Sequence, residues 1–207
     1  MTGKFIENLE TILKEDLPGQ KAHYKMAPLR KVPDLPLSET GKASVLILLY
    51  SRRDELWTLF IKRTIYRGHH SGQVSFPGGK KEKHDKSPEH TALREANEET
   101  GVDPSKIRIL GTLTPLHIPV SNIEVLPVVG YTDIEPEFRI SEIEVEYLIE
   151  VPLNELMNKM TTEKKLVINS EIIKVPGYLV QDEYIWGATA MILSEFIDIA
   201  TLAYVNR

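Results

Sequence analysis

Three glutamates, Glu95, Glu98 and Glu99, are spaced so that one turn of helix gathers them on one side. At 100° per residue they fall within an arc of roughly 100°, and Ala92, Leu93, Ala96 and Thr100 occupy a neighbouring arc suited to a core. Like charges three and four residues apart cost an isolated helix about 0.2–0.5 kcal/mol per pair, so the stripe calls for compensation. A hard divalent cation such as Mg²⁺ or Mn²⁺ would supply it, because such ions take oxygen ligands. The competing reading is a solvated acidic face, held by Arg94 pairing with Glu98 at i,i+4. Both helix ends are written in the chain: Ser87 is a good N-cap, Pro88 suits the first helical position, and Gly101 can take the left-handed conformation that ends a helix.

Upstream lie Gly78 and Gly79, which lack Cβ atoms and so allow close backbone approach and positive φ, as a phosphate beside a metal requires. A glycine loop feeding an acidic helix points to phosphate chemistry. The stretch resembles the Nudix box, which runs Gly, five residues, Glu, seven residues, then Arg-Glu-apolar-any-Glu-Glu-any-Gly-apolar. Arg94-Glu95-Ala96-Asn97-Glu98-Glu99-Thr100-Gly101-Val102 matches its second half in full. In the first half, five residues after Gly79 lead to Asp85 in place of Glu, and eight residues rather than seven separate Asp85 from Arg94. The extra residue keeps the carboxylates in register and bears on the structural partner of Arg94. By this resemblance Asp85, Arg94 and Gly101 are structural members of the motif, and Glu95, Glu98 and Glu99 form the metal and catalytic set.

The run from Leu59 to Gly79 is similar to the signature of the coenzyme A diphosphatase subgroup. Arg63, Gly72 and Phe76-Pro77-Gly78-Gly79 match in register, whereas the second arginine of the signature falls on Gly68, with Arg67 one place early. Tyr184 to Leu193 looks like the C-terminal helix of that subgroup. The resemblance implies hydrolysis of coenzyme A to 3′,5′-ADP and 4′-phosphopantetheine, with Arg63 and Arg67 as candidate cations for the 3′-phosphate and diphosphate and with Gly78 and Gly79 at the substrate. Two other readings stand beside it: cleavage of ADP-ribose or a dinucleoside polyphosphate, and a non-catalytic Nudix-like domain that senses a nucleotide. All three box glutamates are present and no helix-turn-helix segment can be picked out, which favours an enzyme. Helical spacing does not separate metal ligand from general base. His69, His70 and His117 are loop histidines for which a proton-shuttle role is the minority reading. Ser71 and Ser75 lack the Gly-x-Ser-x-Gly elbow of a serine nucleophile.

The elements that must position these residues are legible in outline. The 207 residues form one expected domain, with an N-terminal helix and extended lead-in over 1–40 packed on a Nudix domain over 41–207. Residues 5–15 have helical apolar spacing, and this helix packs on the domain or on a second subunit, which leaves a homodimer open. Pro28, Pro33 and Pro36 mark an irregular lead-in. Ala43–Tyr50 and Leu56–Lys62 read as a hairpin around Ser51 to Glu55, the first strand buried on both faces. Val74–Phe76, Ile107–Leu113, Val125–Tyr131, Glu144–Val151, Lys165–Ile168 and Glu171–Val175 read as further strands, with a short helix from Pro152 to Met160 and a long one from Trp186 to Ala203, Trp186 in the core. Strands and helices without regular βα alternation indicate an α+β fold around a mixed sheet, and the resemblance implies the α/β/α sandwich of the Nudix family.

A net charge of −5 and a pI near 5.7 argue against a general nucleic-acid binder, which needs clustered Lys and Arg. With no cysteine, disulfides, thiolate nucleophiles and Cys-ligated zinc are excluded, and a reducing cytoplasm is the compatible location. No apolar signal core opens the chain, and the longest apolar run, Val45 to Tyr50, falls far short of a membrane span.

Overall fold

The Val45 to Tyr50 run becomes the centre of the molecule. In the computed structural model, which describes residues 2–27, 40–65, 70–168 and 171–205, it lies within strand β1 (Gly41–Arg52), and Leu46 through Tyr50 are fully buried. Successive side chains of a strand point to opposite faces, so a run with no polar alternation must be covered twice. Ile47 and Leu49 enter a core shared with Phe5, Leu9 and Phe196, while Leu46, Leu48 and Tyr50 meet Ala92, Ala96 and Val128 on the other face.

In chain order the elements are α1 (Thr2–Ile12), α2 (Gln20–His23), β1, β2 (Glu55–Arg63), β3 (Val74–Ser75), β4 (Gly78–Lys80), α3 (Pro88–Thr100), β5 (Arg108–Thr112), β6 (Leu116–Ile118), β7 (Ile123–Thr132), β8 (Val145–Pro152), α4 (Leu153–Met157), β9 (Thr161–Ile168), β10 (Glu171–Val180), β11 (Glu183–Trp186) and α5 (Gly187–Val205). Among the described residues, eight strands make one sheet whose path is β3-β2-β1-β7-β5, with β4 beside β1, β6 beside β7 and β8 beside β2. The β1–β7 pair is parallel and the others are antiparallel, so the sheet is mixed. Strands β11-β10-β9 form a second, smaller antiparallel sheet. Helices α1 and α5 cover one face of the large sheet and α3 the other, giving the expected α/β/α layering and α+β class.

Several boundaries differ from the sequence reading. Helix α1 spans Thr2 to Ile12, earlier than the apolar spacing suggested. The first hairpin turns on two residues, Arg53 and Asp54, with φ of 50° and 65°, the left-handed pair of a tight hairpin turn, so both strands run further than expected. Strands β4, β6 and β11 went unread: Gly78-Gly79-Lys80 has poor intrinsic strand preference and is a strand because Ala43, Ser44 and Val45 pair with it. Strand β10 continues through Pro176 and Gly177, where the sequence suggested an end. Trp186 closes β11 half-buried and lies outside the core clusters. The lead-in through Pro28, Pro33 and Pro36 lies outside the described residues, as do Arg67 and His69.

Helix α5 is long and apolar enough to cross a membrane by length and composition, although half of that stretch is buried in the core. The run-length reading of Val45 to Tyr50 passed over it because Glu195 and Asp198 interrupt the apolar sequence. Glu195 is fully buried and fully partnered: it accepts from the backbone N–H of Gly19 (2.9 Å), pairs with His23 Nε2 (2.9 Å), and accepts from Thr114 Oγ1 (2.6 Å) and Thr114 N (3.2 Å). Burial alone would raise its pKa, but the hydrogen bonds from His23 and Thr114 outweigh that and hold it below the ordinary value. The segment carrying α2 is thereby fastened to α5.

Candidate active site

Helix α3 is built as its spacing predicts. Ser87 accepts from His90 N at 3.2 Å, Pro88 occupies the first position, and Gly101 at φ 72° closes the helix by donating to the Asn97 carbonyl. Ala92 and Ala96 seat it on the sheet, and the small side chains bring the adjoining glutamates close to the strands. Glu99 is fully buried; its Oε2 accepts from the backbone N–H of Gly78 and its Oε1 from Arg63 Nη1, each at 2.8 Å. Burial raises the Glu99 pKa to about 7 against the pull of Arg63 and the Gly78 amide, with the charge of Glu95 adding to the rise. The Glu95 pKa is also raised, by burial first, opposed by Arg94 and reinforced by the charges of Glu98 and Glu144. Glu98 is 54 % exposed and turned toward Arg94 Nη1 at 3.0 Å, the i,i+4 pair weighed from the sequence.

The two glycines make room for the chain itself. At Gly78, φ is 153°, and a Cβ would stand 2.5 Å from Val45 Cα and nearer still to the Ser44 carbonyl oxygen. At Gly79 a Cβ would meet Glu95 Oε1 at 2.6 Å, with the rest of that carboxylate nearer. The glycine pair therefore lets β4 lie against β1 on one side and receive the Glu95 carboxylate on the other.

Arg94 finds its partner despite the altered spacing. Its Nε and Nη2 donate to the two oxygens of Asp85 at 3.0 and 2.9 Å, and Nη2 also reaches the Lys80 carbonyl at 3.1 Å. Asp85 further accepts from Glu82 N and Thr91 Oγ1 and lies 2.9 Å from His90 Nδ1. The Arg94 guanidinium, helped by these donors, holds the Asp85 carboxyl well below the usual carboxylate range. One additional residue in the loop and one fewer methylene in the side chain bring the carboxylate to the same guanidinium. Arg94 also pairs with Glu95 at 2.9 Å, so one cation, anchored from behind by Asp85, braces two of the helical glutamates.

Arg63 ends β2, just past a register shift against β8, and its guanidinium lies on Glu99 of α3. His70 Nδ1 lies 3.1 Å from Gln73 Oε1, and His117 Nε2 lies 3.1 Å from Asn122 Oδ1 on β6 and its turn. The Ser75 hydroxyl is buried with no hydrogen-bond partner. Sequence reasoning missed Glu144, whose charge acts on Glu95, and the Arg63–Glu99 pair, because both depend on strands and loops meeting α3 from distant parts of the chain. The backbone around Glu144 is tied to this site: Ser141 N donates to the Glu99 carbonyl at 3.0 Å, and Thr64 N to the Glu144 carbonyl at 3.0 Å.

Among the described residues no three acidic or histidine side chains stand together as a finished metal cluster, since Glu98 faces Arg94 and Glu99 faces Arg63. The donor chemistry nonetheless fits a hard divalent cation. All donors are oxygens, the charge of Glu95 helps to raise the pKa of Glu99, and the missing Cβ of Gly79 is what lets the Glu95 carboxylate lie against β4.

A family model described as the NUDIX domain matches residues 41–168. The chain belongs to the Nudix family. It is 36 % identical over 162 residues to an uncharacterized Nudix hydrolase NudL of Pectobacterium atrosepticum, a match covering 77 % of this chain and 83 % of the relative. A NudL of Yersinia pestis strain Pestoides F is 35 % identical over 158 residues, covering 75 % and 78 %. Among solved structures, the Nudix hydrolase RenU of M. smegmatis matches with a TM-score of 0.53 at 16 % identity, covering 88 % of this chain and 99 % of that one, a likeness of fold. The protein is a Nudix hydrolase acting on a nucleoside diphosphate derivative, and Nudix hydrolases generally work with divalent metal ions.

Proposed function

We propose that this Nudix hydrolase cleaves coenzyme A at its diphosphate, releasing 3′,5′-ADP and 4′-phosphopantetheine, with Mg²⁺ or Mn²⁺ held by Glu95, Glu98 and Glu99. The observation carrying the chemistry is the convergence of the Glu95 and Glu99 carboxylates on Gly78 and Gly79, one packed over the Gly79 Cα and the other bound to the Gly78 amide. A bound divalent ion supplies charge that offsets the charge developing on phosphorus and lowers the pKa of the attacking water. The residues of this chain do the rest. Arg94, fixed by Asp85, orients Glu95 and Glu98, and the Gly78 amide orients Glu99.

The substrate assignment rests on the run from Arg63 to Gly79, because the carboxylate helix does not contact what flanks the diphosphate. Arg63, being on Glu99, is assigned to the diphosphate end, and Arg67, outside the described residues, is a candidate for the 3′-phosphate by the family resemblance alone. The cysteine-free, acidic sequence suits a cytoplasmic enzyme for this metabolite. The test is kcat/KM for coenzyme A, 3′-dephospho-coenzyme A and ADP-ribose with Mg²⁺ or Mn²⁺, with products identified. The expected order places coenzyme A first, by roughly 10- to 150-fold over the dephospho form, the worth of one charge-assisted contact of about 1.5–3 kcal/mol. A clear preference for ADP-ribose overturns the substrate and leaves the chemistry standing; no metal-dependent hydrolysis of any of the three overturns both.

A further inference from the structure

Helix α3 ends in a way its own residues do not complete. The last carbonyls of a helix have no partner inside it. Here Asn97 takes the amide of Gly101 at 2.8 Å, while Glu99 and Thr100 take the main-chain amides of Ser141 and Arg139 at 3.0 and 2.8 Å. These two donors come from the segment between β7 and β8. Gly101 makes their approach possible: a Cβ there would stand 2.9 Å from the Arg139 carbonyl oxygen and 3.1 Å from its nitrogen. The segment is itself fixed to the sheet. The Ser141 carbonyl accepts from the amides of Glu144 and Val145 at 2.9 and 2.8 Å, and Val145 opens β8. Thr64, the residue after β2, donates from its amide to the Glu144 carbonyl at 3.0 Å and from its hydroxyl to the Ile143 carbonyl at 2.8 Å.

Glu99 is thus held along both its side chain and its main chain, the carboxylate by Arg63 and the Gly78 amide and the carbonyl by the Ser141 amide. Glu95, one turn earlier, is set by different contacts, the Arg94 pair and the room at Gly79. We propose that the 139–141 segment is an external cap that positions the Glu98–Glu99 turn relative to Glu95, and that Ser141, through its main-chain amide, is a positioning residue for hydrolysis. The inference rests on Glu95 and Glu99 belonging to the hydrolytic centre, and it asks nothing of the Ser141 hydroxyl. Helix ends fray, so without the Ser141 donor the last turn loosens and carries Glu99 with it.

The test removes one N–H group. In the full chain, Ser141→Ala is compared with the same chain carrying lactic acid at 141, the ester counterpart of alanine, which lacks the amide donor. Leucic acid at Leu113, which removes the 2.9 Å bond from the Leu113 amide to the Pro127 carbonyl, controls for a bond lost elsewhere. The substrate is whichever of coenzyme A, 3′-dephospho-coenzyme A and ADP-ribose the wild type cleaves fastest with Mg²⁺, and hydrogen exchange of amides 97–101 is followed in parallel. Ser141→Ala should behave as wild type. The 141 ester should lose about tenfold in kcat with KM changed less than about twofold, a smaller loss than the roughly hundredfold of a 1 Å misplacement, and its last helical turn should exchange faster. The Leu113 ester should keep its kcat. Thr64→Val, which removes the hydroxyl from the Ile143 carbonyl, should lose about threefold in kcat and serves if the 141 ester does not fold. Wild-type kcat in the folded 141 ester, or in Thr64→Val where that variant serves, overturns the proposal, as does an unchanged last turn or an equal loss in the Leu113 ester. Wild-type activity in Glu99→Gln overturns instead the reading of Glu99 on which it rests.

Discussion

Substitution of Gly79 by alanine separates a catalytic cradle from a mere turn. The position has no left-handed φ, so alanine is acceptable to the backbone, and what it meets is the Glu95 carboxylate, with Oε1 2.6 Å from the new Cβ. Ordinary contact lies at about 3.5 Å, so the carboxylate must retreat by roughly 1 Å. Glu95 is only 15 % exposed and is drawn back by Arg94 at 2.9 Å, so the displacement moves it relative to Glu99 and not simply into solvent. A misplacement of about 1 Å in a reacting constellation is worth about a hundredfold in rate. The cost in stability is small, because the retreat breaks no backbone hydrogen bond. The assay pairs kcat/KM on the best diphosphate with thermal unfolding, and the expected result is a loss of about a hundredfold in kcat/KM with little change in Tm. Gly78→Ala is the internal control: at φ 153° its Cβ meets the main chain of Ser44 and Val45, so there stability and activity should fall together. If Gly79→Ala is as active and as stable as wild type, Glu95 does not work from the place the structure gives it.

Replacing Glu98 or Glu99 with Gln should lower turnover at least about a hundredfold at saturating Mg²⁺ with the fold retained, and near wild-type rates in both would refute the metal assignment. The Asp85→Asn substitution should cost about 3 kcal/mol in chemical denaturation, the low end for a broken buried pair. Because the folded-state pKa of Asp85 lies below its unfolded value of 3.8, the protein binds the proton on unfolding; the stabilisation is present above that value and lost as pH falls below it, and a stability-against-pH curve of Asp85→Asn should lack that acid limb.

The site was legible where its chemistry is local. One turn of helix shows Glu95, Glu98 and Glu99, and Ser87, Pro88 and Gly101 delimit that helix by their own backbone preferences. The Val45 to Tyr50 run likewise announced a strand covered on both sides. What sequence reasoning missed depends on partners brought from afar. Glycines 78 and 79 looked like room for a ligand, but their contacts are Ser44, Val45 and Glu95, known only once β4 is paired with β1. Arg63 looked like a phosphate contact, and its place on Glu99 depends on the end of β2 meeting the end of α3. The role of Glu195 went unread, because Gly19, His23 and Thr114 close around it from distant parts of the chain.

That last cluster bears on how far the packed unit extends beyond the family span. The recognisable family span runs from 41 to 168, yet Phe5, Ile6 and Leu9 share a core with Phe196, Ile199 and Ala203, and Glu195 is hydrogen-bonded by residues 19 and 23. A chain cut at the family boundary would keep Glu95, Glu98 and Glu99 while baring an apolar helix face and, if α5 were retained, a carboxylate with half its donors gone. Homology thus delimits the chemistry, and α1 and α5, packed together over the back of the sheet, complete the solvent-excluded interior that lets the chemistry keep its shape.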